Sequence, residues 1–244
     1  ALKRAVSELA FLGDDKLKNS DIEMANAGHV ASKRSTSKLF FYRDFAKRFL
    51  DIALSIILLP VVGLGLAGLW LVFRRDGGKF LFTQDRVGLD GNVFKCYKIR
   101  TMVPNAEQVL KELCEGDAVI AKQWNTIQKL ENDPRITRIG RVLRSTSIDE
   151  LPQLLNVIRG DMSLVGPRPF TIDQEEIYRN SGGDSYFKMR PGITGSWQVS
   201  PSRGLTSFSE RIRYDNDYFL KCSLLTDLQI YVQTISVVFK RSGK

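Results

Sequence analysis

The sequence predicts an α/β protein with helix in excess: a membrane-embedded, re-entrant broken helix feeding a compact cytosolic domain with a small β-hairpin and interfacial helices. Three observations carry this. Residues Ile52 to Phe73 include no charged side chain, a run long enough to enter a bilayer core that takes roughly 20 apolar residues at 1.5 Å each. Two apolar-rich arms flank Asp90-Gly91, a dipeptide suited to a tight turn with positive φ. Elsewhere apolar residues recur at helical spacing, as in Val109, Leu110 and Leu113 and in Leu151, Leu154, Leu155 and Ile158.

Three regions follow. Residues 1–38 are small, polar and charged, with one short apolar patch around Ala10 to Leu12, and lack the apolar core of a signal peptide. They read as a mobile cytosolic arm. Residues 39–78 read as the membrane-associated segment. Both its flanks are basic, with Arg43, Lys47 and Arg48 before the apolar run and Arg74, Arg75 and Lys79 after it, so the positive-inside tendency asks both ends to stay cytoplasmic. A helix broken at Pro60 meets that demand by entering the bilayer and returning, and Gly63, Gly65 and Gly68 ease packing or bending. A straight span with weak topology signals is the alternative. Residues 79–244 form the cytosolic domain.

Composition narrows the chemistry. The 244 residues carry a formal net charge of +9, which calls for an anionic partner: phosphate esters, nucleic acid or an acidic lipid surface. Cys96, Cys114 and Cys222 form neither a CxxC pair nor a disulfide pattern, which suits a reducing compartment. The single histidine, His29, lies in the arm. A Ser-His-Asp triad or a His-ligated zinc therefore has nothing to work with in the body of the chain, and any catalyst must use carboxylates, basic groups or a bound ion.

Strand alternation sets Lys98 and Arg100 on one face of the second hairpin arm, where two cations can grip a phosphate; a solvated face is the plainer reading. Pro104 opens a helix predicted to run to Leu130, read as scaffold. Arg135, Arg138, Arg141 and Arg144 then recur every third residue and fan over one side of a helix. "STSIDELPQLL" follows. Ser147 and Glu150 have capping-box spacing, and Pro152 fits a first turn, so a helix is expected to start near Asp149. Asp149 and Glu150 would then sit at the positive end of a helix dipole, beside the arginines, where phosphate is also drawn. Simple capping explains one acid more readily than a pair. In "VGPRP", Arg168 is bracketed by Pro167 and Pro169 and is presented in extended backbone, suiting a phosphate clamp or a rigid surface turn. "RPGITGSWQ" repeats the device with Arg190. Near the C-terminus Leu224, Leu225, Leu228, Val232 and Ile235 share one helical side, read as core packing in preference to a membrane interface.

Taken together, "RFLDIALSIILLP", "FTQDRVGLDGNVFKCYKIRTM", "SIDELPQLLNVIRGDMSLVGPRP" and "RPGITGSWQV" resemble the bacterial sugar transferases, the monotopic phosphoglycosyl transferases that begin assembly of surface polysaccharides. The likeness runs from about Lys47 to the C-terminus. The chain resembles the short form, without the extra membrane domain of long relatives, and is most similar to exopolysaccharide enzymes that transfer galactose 1-phosphate or glucose 1-phosphate. The resemblance implies transfer of a hexose 1-phosphate from a UDP-sugar to undecaprenyl phosphate, with release of UMP, at the cytoplasmic face of the bacterial inner membrane. It makes 79–244 the catalytic domain. Asp149 falls on the position of the nucleophile that attacks phosphorus, and Glu150 on its magnesium-assisting neighbour, so this pair is the expected Mg2+ site. Arg144, Arg168 and Arg190 fall on basic positions expected to touch phosphate or nucleotide. No nucleic acid partner is implied, and a homodimer is left open. Two departures stand out: Leu59-Pro60 replaces the frequent Ser-Pro at the helix break, and "SPSRG" replaces Gly-Arg-Asn after Trp-Gln, leaving Arg203 as the substitute. On the residues alone, a magnesium-dependent membrane phosphohydrolase and a non-catalytic basic membrane scaffold also stay open.

Overall fold

The structure, a computed structural model, describes residues 41–74, 78–127, 130, 133–201 and 208–239. The predicted arm with His29, and Arg203, lie outside them. Residues up to Ala46 form a unit of their own, whose described part is a π-helical turn, Tyr42–Ala46, with Arg43 Nε donating to Asp44 Oδ1 at 3.1 Å.

The second unit opens with helix α1, Lys47–Phe73, the one helix among the described residues long and apolar enough to cross a membrane. The helix continues through Pro60 and does not divide into two helices there. Proline in a helix interior costs about 3 kcal/mol, and packing on both sides of Pro60 offsets it. Lys47, Asp51 and Ser55 are buried, while Val62, Leu66, Leu69 and Phe73 pack against core clusters of the same unit. These residues share one helical face. The opposite face, including Ile57, Val61 and Leu64, is exposed. Arg48 Nη1 and Nη2 donate to Val157 O at 2.7 Å and Ile158 O at 3.2 Å, and Asp51 accepts from Ser163 Oγ at 2.6 Å and Leu164 N at 3.2 Å. Both halves of a helix about 40 Å long thus rest on one body.

Strands β1 (Leu81–Val87) and β2 (Val93–Ile99) form the expected antiparallel hairpin. Asp90 and Gly91 adopt φ of 57° and 80°, as the dipeptide predicts, inside a connection that takes one 3-10 turn, Leu89–Gly91. The single helix expected from Pro104 to Leu130 is instead two, α2 (Ala106–Gly116) and α3 (Ala118–Ile127). Asp117 between them is extended, and its Oδ1 accepts from Val119 N at 2.7 Å. A capping side chain directly after a glycine restarts the helix at less cost than continuing it.

Helix α4 (Arg138–Thr146) begins at Thr137, whose side chain accepts from Gly140 N. Gly140 is required here: a Cβ would lie 2.0 Å from Thr101 O. After α4 come a 3-10 turn, Ile148–Gln153, helix α5 (Leu154–Arg159) and strand β3 (Ser163–Val165). Helix α6 (Glu175–Asn180) precedes β4 (Gly192–Thr194), which pairs in parallel with β3. Helices α7 (Ser196–Val199), α8 (Phe208–Lys221) and α9 (Leu224–Phe239) complete the described chain. The fold is helix-rich with two small sheets. Its aromatic core joins Phe170, Tyr178, Tyr186 and Phe187 with Val87 and Ile212.

Helix α9 overturns one expectation. Leu224, Leu225, Leu228, Val232 and Ile235 are exposed, whereas Asp227 and Ile230 are buried. Its inward face is selected by polar pairing: Asp227 Oδ2 takes Lys47 Nζ at 2.6 Å, Asp227 Oδ1 takes Tyr218 OH at 2.7 Å, and Thr234 Oγ1 lies 2.7 Å from Thr194 Oγ1. Buried polar groups without partners cost more than exposed leucines do, so the polar face turns in.

Candidate active site

The segment carrying the two acids is shaped by the end of α4. Ser147 adopts a left-handed conformation, φ 58° and ψ 17°, and its N–H closes back on Arg144 O. It therefore ends α4 and at once opens the following 3-10 turn, with Glu150 N donating to Ser147 O at 3.2 Å, but its side chain makes no capping bond. The predicted capping box is not formed. Asp149, Glu150 and Pro152 lie in the 3-10 turn, and α5 starts only at Leu154. With Glu150 released from capping, its carboxylate turns to cations: Oε1 accepts from Lys98 Nζ at 2.8 Å and from Arg168 Nη2 at 3.1 Å.

Asp149 next to it differs. It is 7% exposed, and no hydrogen bond or ion pair joins its carboxylate to the described residues. Burial pushes its carboxyl above the ordinary range and the Glu150 charge adds to the push, while Lys98, Arg144 and Arg168 pull it back. Glu150 shows the opposite balance. Burial alone would raise it, but Arg168 and Lys98 together outweigh burial and hold it at about 2. Glu150 in return raises Arg168 above the usual guanidinium value.

Both acids line a cavity of about 990 Å³, whose walls also include Lys98, Arg100, Arg144 and Arg168. Arg144 Nε donates to Thr101 Oγ1 at 2.8 Å. Arg100 is largely committed elsewhere: its Nε donates to Lys79 O at 2.7 Å, and its guanidinium lies 5.5 Å from the Phe73 ring centroid. Arg190 does not join this group, because its Nε donates to Gly160 O at 2.9 Å behind the end of α5. The arginine fan is also reduced. Arg135 lies before α4, is buried and pairs with Asp133 Oδ2 at 2.7 Å, Arg138 and Arg141 are exposed, and only Arg144 turns into the cavity.

Sequence reasoning missed three contributors. Gln84 and Arg86 line the cavity from β1, and the register pairs Phe82 with Lys98 and Gln84 with Cys96. Alternation then puts Phe82, Gln84 and Arg86 on the Lys98 face, a signal that becomes readable once the register is known. The third is Asn156, fully buried on α5. Its Nδ2 donates to Lys95 O at 2.8 Å and its Oδ1 accepts from Tyr97 N at 3.1 Å. The amide thus pairs with the edge of β2 and holds Lys98 opposite Glu150.

As a metal donor set the site is small: the described residues contain no group of three or more His, Cys, Asp or Glu placed to hold an ion. Two adjacent carboxylates suit a cation such as magnesium, which keeps several waters and takes further oxygens from a substrate phosphate.

A family model described as bacterial sugar transferase matches residues 42–241. The chain belongs to the bacterial sugar transferase family. It is 45% identical over 199 residues to the undecaprenyl-phosphate galactose phosphotransferase of Salmonella typhimurium, covering 82% of this chain and 41% of that protein. It is 41% identical over 224 residues to the exopolysaccharide production protein ExoY of Rhizobium meliloti, covering 87% and 98%. With the UDP-glucose:undecaprenyl-phosphate glucose-1-phosphate transferase of Escherichia coli it shares 35% identity over 196 residues, 78% of this chain and 39% of that one. The chain thus spans about two fifths of the Salmonella and Escherichia proteins. The matched range, residues 42–241, includes the segments that build this cavity: the hairpin, the 3-10 turn with its two acids, and the loop around Arg168.

Proposed function

We propose that this family member transfers a hexose 1-phosphate, galactose or glucose, from a UDP-sugar to undecaprenyl phosphate, releasing UMP through a covalent aspartyl phosphosugar intermediate, as the first membrane step of exopolysaccharide or other surface glycan synthesis. One observation carries the reading: in a single cavity, the Asp149 carboxylate makes no hydrogen bond to the described residues, while Glu150 beside it is neutralised by Lys98 and Arg168. A carboxylate kept free next to one that is paired is a nucleophile and its electrostatic support.

The diphosphate enters beside Lys98, Arg144 and Arg168, whose charges offset repulsion between phosphate and Asp149. An oxygen of ionised Asp149 attacks the sugar-bearing phosphorus, the P–O bond to UMP breaks, and UMP leaves with the bonding electrons. A phosphate oxygen of the polyprenyl acceptor then attacks the same phosphorus and the bond to Asp149 breaks, restoring the carboxylate. An ionised nucleophile needs no histidine base. Asp149 and Glu150 Oε2 would hold a magnesium ion, which supplies charge neutralisation at the phosphate oxygens. The apolar outer face of α1 and the exposed stripe of α9 suit a lipid acceptor, and the basic residues on both sides of the apolar run favour the cytoplasmic face of the inner membrane.

The test combines the protein with magnesium, polyprenyl phosphate and a panel of UDP-sugars. UDP-galactose or UDP-glucose alone should release about one equivalent of UMP per site before lipid is added, and Asp149→Asn should erase this burst. UMP release only after lipid addition would remove the covalent role of Asp149. Lipid-independent continuous hydrolysis would favour a phosphohydrolase, and no turnover at all a scaffold.

A further inference from the structure

The loop that presents Arg168 has an unusual backbone account. Pro167 and Pro169 have no N–H, so the segment is secured through its carbonyls, and four in succession accept. Pro167 O takes Gly192 N at 2.8 Å, Arg168 O takes Arg211 Nη2, Pro169 O takes Arg86 Nη1 at 3.3 Å, and Phe170 O takes Val87 N at 3.0 Å. Two of the four donors are backbone amides from neighbouring strands. The other two are arginine side chains.

Arg211 is the more telling of these. It sits on α8, is 8% exposed, and does not line the cavity. Its guanidinium lies 5.4 Å from the Tyr178 ring centroid and 5.2 Å from that of Trp197. Rings on a planar cation hold it in place with little freedom left. The charge of Arg211 also acts on buried Asp215 one turn further along α8, so the guanidinium is held in place while its Nη2 fixes the Arg168 carbonyl. The carbonyl belongs to the residue whose side chain, on the other side of the loop, donates to Glu150.

We propose that Arg211 is a positioning residue for the transfer: clamped by Tyr178 and Trp197, it holds the Arg168 backbone so that the Arg168 side chain neutralises Glu150 and faces the substrate phosphates. The prolines limit the conformations of the loop but remove two of its backbone donors, and Arg211 adds anchorage through the Arg168 carbonyl. It never meets substrate. The role in catalysis rests on the transferase reading, while the mechanical coupling of Arg211 to Arg168 does not.

The experiment is a double-mutant cycle on the full chain with Arg211→Lys and Arg168→Ala. Lysine keeps the charge and most of the stem but not the fork, so Arg211→Lys should slow the UMP burst by about tenfold or more with a smaller change in KM for UDP-sugar. In the Arg168→Ala background the same exchange should change the rate by less than about twofold, because Arg211 acts through Arg168. Burst amplitude counts competent sites, which separates a slower site from a smaller folded fraction. Losses that multiply in full, or a burst rate unaffected by Arg211→Lys, would overturn the proposal. The same cycle on affinity for inorganic pyrophosphate reads the coupling without turnover: non-additive weakening supports it and additive weakening defeats it. If wild-type protein releases no UMP from any UDP-sugar, the transferase reading fails, and the pyrophosphate cycle still decides the coupling.

Discussion

Asp149 and Glu150 are chain neighbours in opposite electrostatic situations: Glu150 Oε1 receives both Lys98 and Arg168, at 2.8 and 3.1 Å, while the Asp149 carboxylate is bonded to none of the described residues. A tight 3-10 turn separates the two side chains enough for one to be spent and the other kept.

The first consequence concerns pH. Burial, with the Glu150 charge, raises Asp149, and the proposed mechanism requires its ionised form, so the UMP burst should fall as pH drops through a value above the ordinary aspartate range. Lys98→Met removes a cation that lowers Asp149, and its acid limb should move further up. A limb that stays put in Lys98→Met, read by burst rate against pH, would contradict this assignment.

Stability should respond to Glu150 with the opposite sign. Its folded value is depressed from 4.5 to about 2, so its contribution is fully present above the unfolded value and is lost as pH falls through that window. Thermal midpoints of wild type and Glu150→Gln should therefore differ most near neutrality and converge toward about pH 2. A constant difference across that range would mean that the Lys98 and Arg168 contacts are not ionic.

The buried Lys47–Asp227 pair, 2.6 Å apart, ties the start of α1 to α9. Removing one partner strands a buried charge, so Lys47→Met should cost about 3–5 kcal/mol in chemical denaturation. Lys47→Met with Asp227→Leu should recover only part of this, because Tyr218 OH also donates to Asp227. A cost below about 1 kcal/mol would place the pair in solvent-like surroundings.

Topology can be read by labelling. Single cysteines at Ala31 and Asn92, in a Cys114→Ser background, should both react only from the cytoplasmic side, since basic residues flank both ends of the apolar run. Periplasmic reactivity at either position would favour a straight span.

Local chemistry made several features legible in the sequence. An uncharged run of this length has the scale of a helix that enters a membrane, Asp90-Gly91 favours positive φ, and prolines on both sides of Arg168 stiffen its loop. With no histidine in the body of the chain, any catalyst must use carboxylates, basic groups or a bound ion, and the adjacent acids stand out among these. These properties depend on neighbours within a few residues, so the one-dimensional pattern contains them.

What the tertiary structure alone decided are choices between competing partners. Ser147 had the spacing of a cap, yet it terminates α4 in a left-handed turn, which frees Glu150 for Lys98 and Arg168 far away in the chain. Four arginines at regular spacing looked equivalent, but Asp133 takes Arg135, solvent takes Arg138 and Arg141, and the cavity takes Arg144. Arg190 is drawn to Gly160 O, and the leucines of α9 face outward because Asp227 must meet Lys47 and Tyr218. In each case a buried charge or polar group takes whichever partner the packed chain brings within about 3 Å, and that distance is a property of the fold, invisible to sequence spacing.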